Sequence, residues 1–318
     1  MKRRALLAAA PFLAVPLIAR AQGTYPSRPV TILLGLAPGG SGDATMRFIA
    51  REATKDLGVP VIVENRPGGA QTIATTRAAR SAPDGYTLLQ ATNTPLGTVP
   101  HFQSVPYNVE TDFTFVAQYA TILHPNYILT GSRWQSWAEL VTFAKDNPGT
   151  LRWAAATPLS GPHLCNAAAF QHLGIESIFV PYNGGAEAVT ALLGGHIDLA
   201  VSSDYAPLLA DNRVRLLSEI GAARAPGMQE IPCFGELGYP LTMRIGFGLA
   251  GPANLPPEVT DTWSRVLRKI DAMPEWHELM QRFMAVPSLV VGNAYRDQML
   301  ASYRALGRIL PGLRVDRS

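Results

Sequence analysis

Cysteine is almost missing: Cys165 and Cys233 are the only two in 318 residues. A disulfide-stapled scaffold is therefore excluded, and no Cys-x-x-Cys or His-Glu-x-x-His is present to hold a metal. The six histidines are dispersed. Charge is sparse as well, at 16% of residues, and no lysine or arginine cluster supplies the basic face that nucleic acid needs. No segment reaches the roughly 20 consecutive apolar residues of a membrane-spanning helix. The phosphate loop Gly-x-x-x-x-Gly-Lys-Ser/Thr is absent, and so is Gly-x-Gly-x-x-Gly after any strand. No metal and no cofactor are expected.

The apolar residues, 47% of the chain, are enough for a sizeable core in one large or two medium domains. Glycine and proline, 28 and 26, are scattered rather than run together, which suits many tight connections. At the start, Lys2, Arg3 and Arg4 precede a short apolar run from Ala5 to Ile18. Ala19-Arg20-Ala21 then fits a peptidase site, so residues 1–21 are predicted to be a signal peptide and Gln22 the mature N-terminus in the periplasm. Arg3-Arg4 leaves general and twin-arginine export both open. Cleavage removes four basic residues and no acid, so lysine plus arginine falls from 27 to 23 against 24 acids, and the net charge from +3 to −1. Neither cysteine follows the cleavage site, so no lipid anchor is expected. Both are predicted to stay unpaired.

Beyond residue 22 strand and helix signals alternate. Val30 to Leu34 reads as a strand buried on both faces. A helix with Met46, Ile49, Ala50, Ala53 and Leu57 on one face follows and ends at Gly58. Val59 to Val63 and Tyr86 to Ala91 read as strands, with a helix over Thr72 to Ser81 between them. Val116 to Leu129 is one or two extended segments. Ser136-Trp137-Ala138-Glu139 is a capping box, opening a helix to about Asp146. A second series has strands at Leu151 to Ala155, Ile178 to Tyr182, Ile197 to Ser202 and Val214 to Ile220. Helices between them run to about Leu173 and Leu193. Ile245 to Ala250 is extended again, and the tail is helical over Pro257 to Ala272, Pro274 to Met284 and Ala294 to Leu310. Two α/β units with mainly parallel sheets flanked by helices follow from this order. The chain is expected to cross between them near Val116 to Leu129 and to return near Met243 to Ala250, so that the last helices close the first unit.

Four loops share one design: Ala37 to Asp43, Thr92 to Pro95, Ala156 to His163, and Tyr182 to Gly185. Each follows a strand and is built of small, hydroxylic or amide residues and proline. Such loops lie at the carboxyl ends of the strands, where open α/β sheets bind ligands. Three lead into helix starts, whose free amides and positive dipole ends attract anions. None contains lysine or arginine, so an anion there is to be met by backbone amides, hydroxyls and water. Gly39-Gly40-Ser41-Gly42-Asp43 has Asp43 where the nucleophile elbow needs glycine. Asp43 is expected to be a helix N-cap. Ser160 and His163 are expected to be a cap and a hydrogen-bonding pocket side chain. Trp134, Trp137 and Trp153 are assigned to packing.

Tyr25-Pro26-Ser27-Arg28-Pro29 and Ala37-Pro38-Gly39-Gly40-Ser41-Gly42-Asp43 resemble the opening of the Bug proteins, the extracytoplasmic solute receptors of tripartite tricarboxylate transporters. The similarity continues through Val63-Glu64-Asn65-Arg66-Pro67-Gly68, Ala82-Pro83-Asp84-Gly85-Tyr86, Val180-Pro181-Tyr182-Asn183-Gly184, Leu192 to Asp198 and Phe247 to Pro252. It covers essentially the whole mature chain in order. The resemblance implies a two-lobed periplasmic-binding-protein fold, type II-like, that closes on a ligand as a Venus flytrap. Lobe 1 would comprise 22–122 and 246–318, and lobe 2 residues 123–245. By position it implies ligand contacts from Ala37, Pro38, Gly39, Gly40, Ser41, Asp43, Thr92, Asn93 and Thr94 in lobe 1. In lobe 2 it implies Ser160, Gly161, His163, Tyr182, Gly184 and Asp204. Leu36 stands where an aromatic residue is common in the family, and Gly35 where proline is. Leu36 and Leu159 leave room for an apolar ligand body.

The resemblance thus implies a monomeric periplasmic receptor that delivers a small carboxylate to inner-membrane permease subunits. A carboxylate-sensing protein in signalling is one alternative. A secreted serine hydrolase using Ser41 or Ser160 with His163 is another, from a different class.

Overall fold

A computed structural model describes residues 25–313 and Val315. The expected signal peptide, residues 1–21, and the start at Gln22 lie outside the described residues.

The chain opens with β1 (Val30–Leu34), whose residues are buried except for the half-buried Thr31. It lies between β2 (Val61–Asn65) and β3 (Thr87–Thr92), parallel to both. Parallel neighbours require crossover helices. These are α1 (Ser41–Leu57) and α2 (Thr72–Ala79). The first buries Met46, Ile49, Ala50 and Ala53 along one face and ends at Gly58, left-handed at φ 71°, whose N–H donates to the Thr54 carbonyl.

The extended passage then divides into β4 (Phe113–Ile122) and β5 (Pro125–Leu129), either side of Leu123 and His124. Helix α3 (Trp137–Asp146) follows. Ser136 Oγ accepts from the Glu139 amide at 3.2 Å, and Glu139 Oε2 accepts from the Gln135 amide at 2.7 Å. Each member of the expected capping box thus serves one amide, the glutamate reaching one residue beyond the cap. Strand β6 (Arg152–Ala155), helix α4 (Gly161–Leu173), the two-residue β7 (Ile178–Phe179), α5 (Gly185–Leu193), β8 (Leu199–Val201), the short α6 (Ala206–Ala210) and β9 (Val214–Glu219) complete the second series. The chain returns through β10 (Ile245–Pro252) and finishes with α7 (Pro257–Asp271), α8 (Pro274–Arg282), β11 (Val286–Val291) and α9 (Asn293–Ile309).

The strands form two sheets, ordered β11-β4-β10-β3-β1-β2 and β7-β6-β8-β5-β9. Both are mixed rather than mainly parallel. In the first, β10 is antiparallel to β3 and β4, and β11 to β4; in the second, β5 is antiparallel to β8 and β9. The reason is topological. Strands such as β1, β3, β6 and β8 end at the cleft between the sheets. Strands β5 and β10 receive the chain after a crossing and start at that cleft, so they run the other way.

Strand β11 escaped the sequence reading because Pro287 and Ser288 interrupt its apolar pattern. It occupies a sheet edge, where proline's missing N–H does least harm. Helices α7 and α8 pack on the first sheet through Trp263, Val266, Trp276 and Met280. The start of α9 does the same through Tyr295 and Met299. Its end goes further than expected: Leu306, with Leu310 beyond it, shares a buried cluster with Trp134, Leu164 and Phe170 of the second series. Trp134, Trp137 and Trp153 are all buried. Cys165 on α4 and Cys233 between β9 and β10 are buried and unpaired. Among the described residues no helix is long and apolar enough to cross a membrane, and no group of three or more candidate side chains could hold a metal.

Candidate functional site

The loop from Gly35 to Gly40 joins β1 to α1 and forms one wall of a cavity between the sheets. Gly39 must be glycine-like, with φ 94°. Gly40 is the N-cap and Ser41 the first helical residue. Asp43 is therefore not the N-cap that the sequence suggested, because the helix begins two residues earlier. It holds the loop instead. Its Oδ2 accepts from the Gly39 amide at 3.1 Å and from Arg47 Nε at 2.9 Å, and its Oδ1 accepts from Asn65 Nδ2 at 2.9 Å. The same Asn65 amide donates to the Leu36 carbonyl at 3.0 Å. Burial pushes the Asp43 carboxyl up, but the bonds from Arg47, Asn65 and Gly39 outweigh it and hold it below the usual carboxylate range. Gly35 leaves room for Gln71: a Cβ there would stand 2.6 Å from Gln71 Cβ.

The opposite wall carries Ala156, Thr157, Ser160 and Pro162 at the start of α4, Gly184 and Gly185 at the start of α5, and Ser203 and Asp204 after β8. Hydrogen bonds cross directly between the walls. The Ala37 amide donates to the Asn183 carbonyl at 3.2 Å, the Ser41 amide to Asp204 Oδ1 at 2.6 Å, and Ser41 Oγ lies 2.6 Å from Ser203 Oγ. Thr98 Oγ1 donates to the Leu159 carbonyl at 2.5 Å. Burial raises the Asp204 carboxyl above its usual range, with the Ser41 bonds working against that shift.

Of the residues singled out in the sequence, Leu36, Ala37, Gly40, Ser41, Asp43, Thr92, Thr94, Ser160, Gly184 and Asp204 line this one cavity. Pro38, Gly39, Asn93, Gly161, His163 and Tyr182 are not among its lining residues. Pro38 and Gly39 sit exposed outside it. Asn93 is buried, with Nδ2 3.4 Å from Ser302 Oγ. His163 is the clearest departure. Its ring is 1% exposed and stacks on Phe179 at 3.9 Å, and Nδ1 accepts from the Leu159 amide at 2.9 Å. Burial pushes its pKa down to about 3, so the ring is neutral. It braces the loop from within the core rather than facing the cavity.

The sequence reading missed Gln71, His124, Ser203, Ile245 and Phe247, and covered Thr157 and Gly185 only as members of the cleft loops; all of them line the cavity. His124 sits at the break between β4 and β5, and Ile245 and Phe247 open the returning strand. The crossing points were visible in the sequence, so their cleft-facing residues were the available signal. His124 is neutral too: burial, assisted by the Arg244 charge, pushes it down to about 3 against the bond to the Ile122 carbonyl. Thr157 is 2% exposed, and its Oγ1 has no hydrogen-bond partner. No lysine or arginine lines the cavity.

A family model described as tripartite tricarboxylate transporter family receptor matches residues 45–298. A protein of Cupriavidus necator, the UPF0065 protein in the gbd 5' region, is 30% identical over 292 residues, which is 92% of this chain and 89% of that one. The periplasmic binding protein BugD is similar in structure, with a TM-score of 0.83 and 26% identity over 90% of this chain and 98% of its own. MatC from Rhodopseudomonas palustris, solved with bound malate, has a TM-score of 0.82 at 22% identity, over 90% of this chain and 100% of its own. At that identity the last likeness concerns the fold alone.

Proposed function

The chain belongs to the tripartite tricarboxylate transporter receptor family, a family of periplasmic solute receptors, and on that premise we propose that its cleft captures a small carboxylate for delivery to membrane permease subunits. One observation carries the reading. Three helices, α1 and α4 and α5, begin at the same cavity from opposite walls, and no lysine or arginine lines it. Helix starts offer free amides and the positive ends of their dipoles, which suit an anion. A carboxylate held this way needs no arginine, since hydrogen bonds to a charged group contribute about 1.5–3 kcal/mol each.

The two walls would be lobes comprising 22–122 with 246–318, and 123–245, hinged at the crossings. The receptor would act as a monomer after cleavage near Ala21. It would bind without turnover. Ser41 Oγ is engaged with Ser203, Ser160 Oγ donates to the Thr157 carbonyl at 2.7 Å, and the His163 Nδ1 lone pair is already used by Leu159. Among the described residues no histidine ring nitrogen is hydrogen-bonded to either serine hydroxyl, which supports a receptor over a hydrolase.

A thermal-shift screen of carboxylates tests the reading, because a ligand at a hundred times its Kd stabilises the folded state by about 2.7 kcal/mol. The methyl ester of the best acid is the control. The expected result is a rise of several degrees for the acid and little for the ester. An ester that binds as well as its acid would end the carboxylate reading.

A further inference from the structure

We propose that Asp204 is a specificity-determining residue: a resident carboxylate that occupies one anion seat of the cleft, so that the protein accepts monocarboxylates with an uncharged, apolar body and rejects dicarboxylates. This rests on the carboxylate-receptor reading above and deepens it.

The placement of Asp204 carries the argument. It follows β8 on one wall and reaches across to the other, where Oδ1 accepts from the Ser41 amide at 2.6 Å. Ser41 is the first residue of the 17-residue α1. Gly185 is the first residue of the nine-residue α5, and a Cβ built on it would lie 1.6 Å from Asp204 Oδ2. At Gly40, the N-cap of α1, a Cβ would lie 3.1 Å from Oδ1. Two helix starts from opposite walls therefore converge on one carboxylate, and glycine at each gives it room. These are the donors and dipole ends that would otherwise hold an external anion.

The charge inventory of the cavity points the same way. Asp43 is the other lining acid and already pairs with Arg47 at 2.9 Å. The lining histidine, His124, is neutral. A monocarboxylate would meet amides and the unpartnered Thr157 hydroxyl. The second carboxylate of a diacid would find that seat already filled by Asp204, in a site whose burial disfavours even the resident charge and which has no lysine or arginine to offset another. The remaining lining suits an apolar body, through Leu36, Pro162, Ile245 and Phe247.

The test compares each diacid with its nearly isosteric half-amide: succinate with succinamate, adipate with adipamate, and terephthalate with its monoamide. Calorimetry on the full-length mature protein at pH 7.5 reads the ratio of affinities within each pair. The expected result is that wild type binds the half-amide at least tenfold tighter than its diacid. Asp204→Asn, which retains an acceptor for Ser41, should bring the two within threefold. Asp204→Ser serves as a second variant, and the wild-type ratio is decisive without either. A wild-type preference for the diacid, or a ratio unchanged in both variants, would overturn the assignment while leaving the receptor reading intact. If wild type bound neither member of any pair, the receptor reading would fall, and this one with it.

Discussion

Two loops of this protein look alike in sequence and behave differently. Residues 35–43 and 156–163 both leave a buried strand, both are rich in small and hydroxylic residues, and both run into a helix at the cleft. The first is held from behind. Asp43 and Asn65 bind its amide and carbonyl groups, so Gly40 and Ser41 present backbone to the cavity. The second is held from within. Leu159 sits at φ 56°, its amide donates to His163, and Ser160 Oγ turns back to the Thr157 carbonyl. The first loop thus offers a ligand the backbone of Gly40, its Ala37, Gly39 and Ser41 amides being taken by Asn183, Asp43 and Asp204, whereas the second spends most of its polar groups on itself and leaves Thr157 Oγ1 free.

The largest expected effect is at the first loop. Gly40→Val places a branched side chain against Asp204, at a position that lines the cavity. Carboxylate affinity should fall at least a thousandfold, about 4 kcal/mol, while circular dichroism and melting stay close to wild type. Retained affinity would erase the distinction between the loops.

At the second loop the loss should appear in stability. His163→Ala removes a buried ring stacked between Phe179 and the Trp153 side of the core, together with the acceptor for Leu159. Denaturant melts should show a loss of about 3 kcal/mol. The affinity of the protein that remains folded should change less than threefold. A large affinity loss at unchanged stability would return His163 to the list of ligand contacts.

The same difference predicts a pH response. His163 and His124 are neutral in the fold because burial pushes both down to about 3, whereas an unfolded histidine titrates near 6.5. Between those values the unfolded chain binds more protons. The stability present above about pH 6.5 is therefore lost as pH falls towards 3, by about 1.4 kcal/mol per pH unit for each ring. Urea midpoints at pH 7, 6 and 5 should fall in wild type. They should fall less steeply in His163→Gln; an identical slope would mean that the ring is not held neutral.

The smallest effect sharpens the comparison. Thr157→Val removes the one unpartnered hydroxyl of the second loop at nearly constant shape. Stability should hold or rise slightly, since a buried polar atom without a partner is removed, while carboxylate affinity drops about tenfold, near 1.4 kcal/mol. Unchanged affinity would mean that the second loop makes no polar contact with the ligand.

The strands, the helices and the punctuation between them were readable in the sequence because their causes are local. Apolar periodicity marks β1 and α1, Gly58 can adopt φ 71°, and Ser136 with Glu139 closes the first turn of α3. The reading failed where a local signal was broken, as at Pro287 in β11, and where strand direction depended on which end of a lobe the chain enters. The orientation of the cleft loops was decided by partners remote in sequence. Asn65 lies 22 residues from Asp43, and Asp204 lies 163 from Ser41. A loop's composition says that it can bend and offer hydrogen bonds. Only the packed structure determines which of those groups are already satisfied and which remain for a ligand.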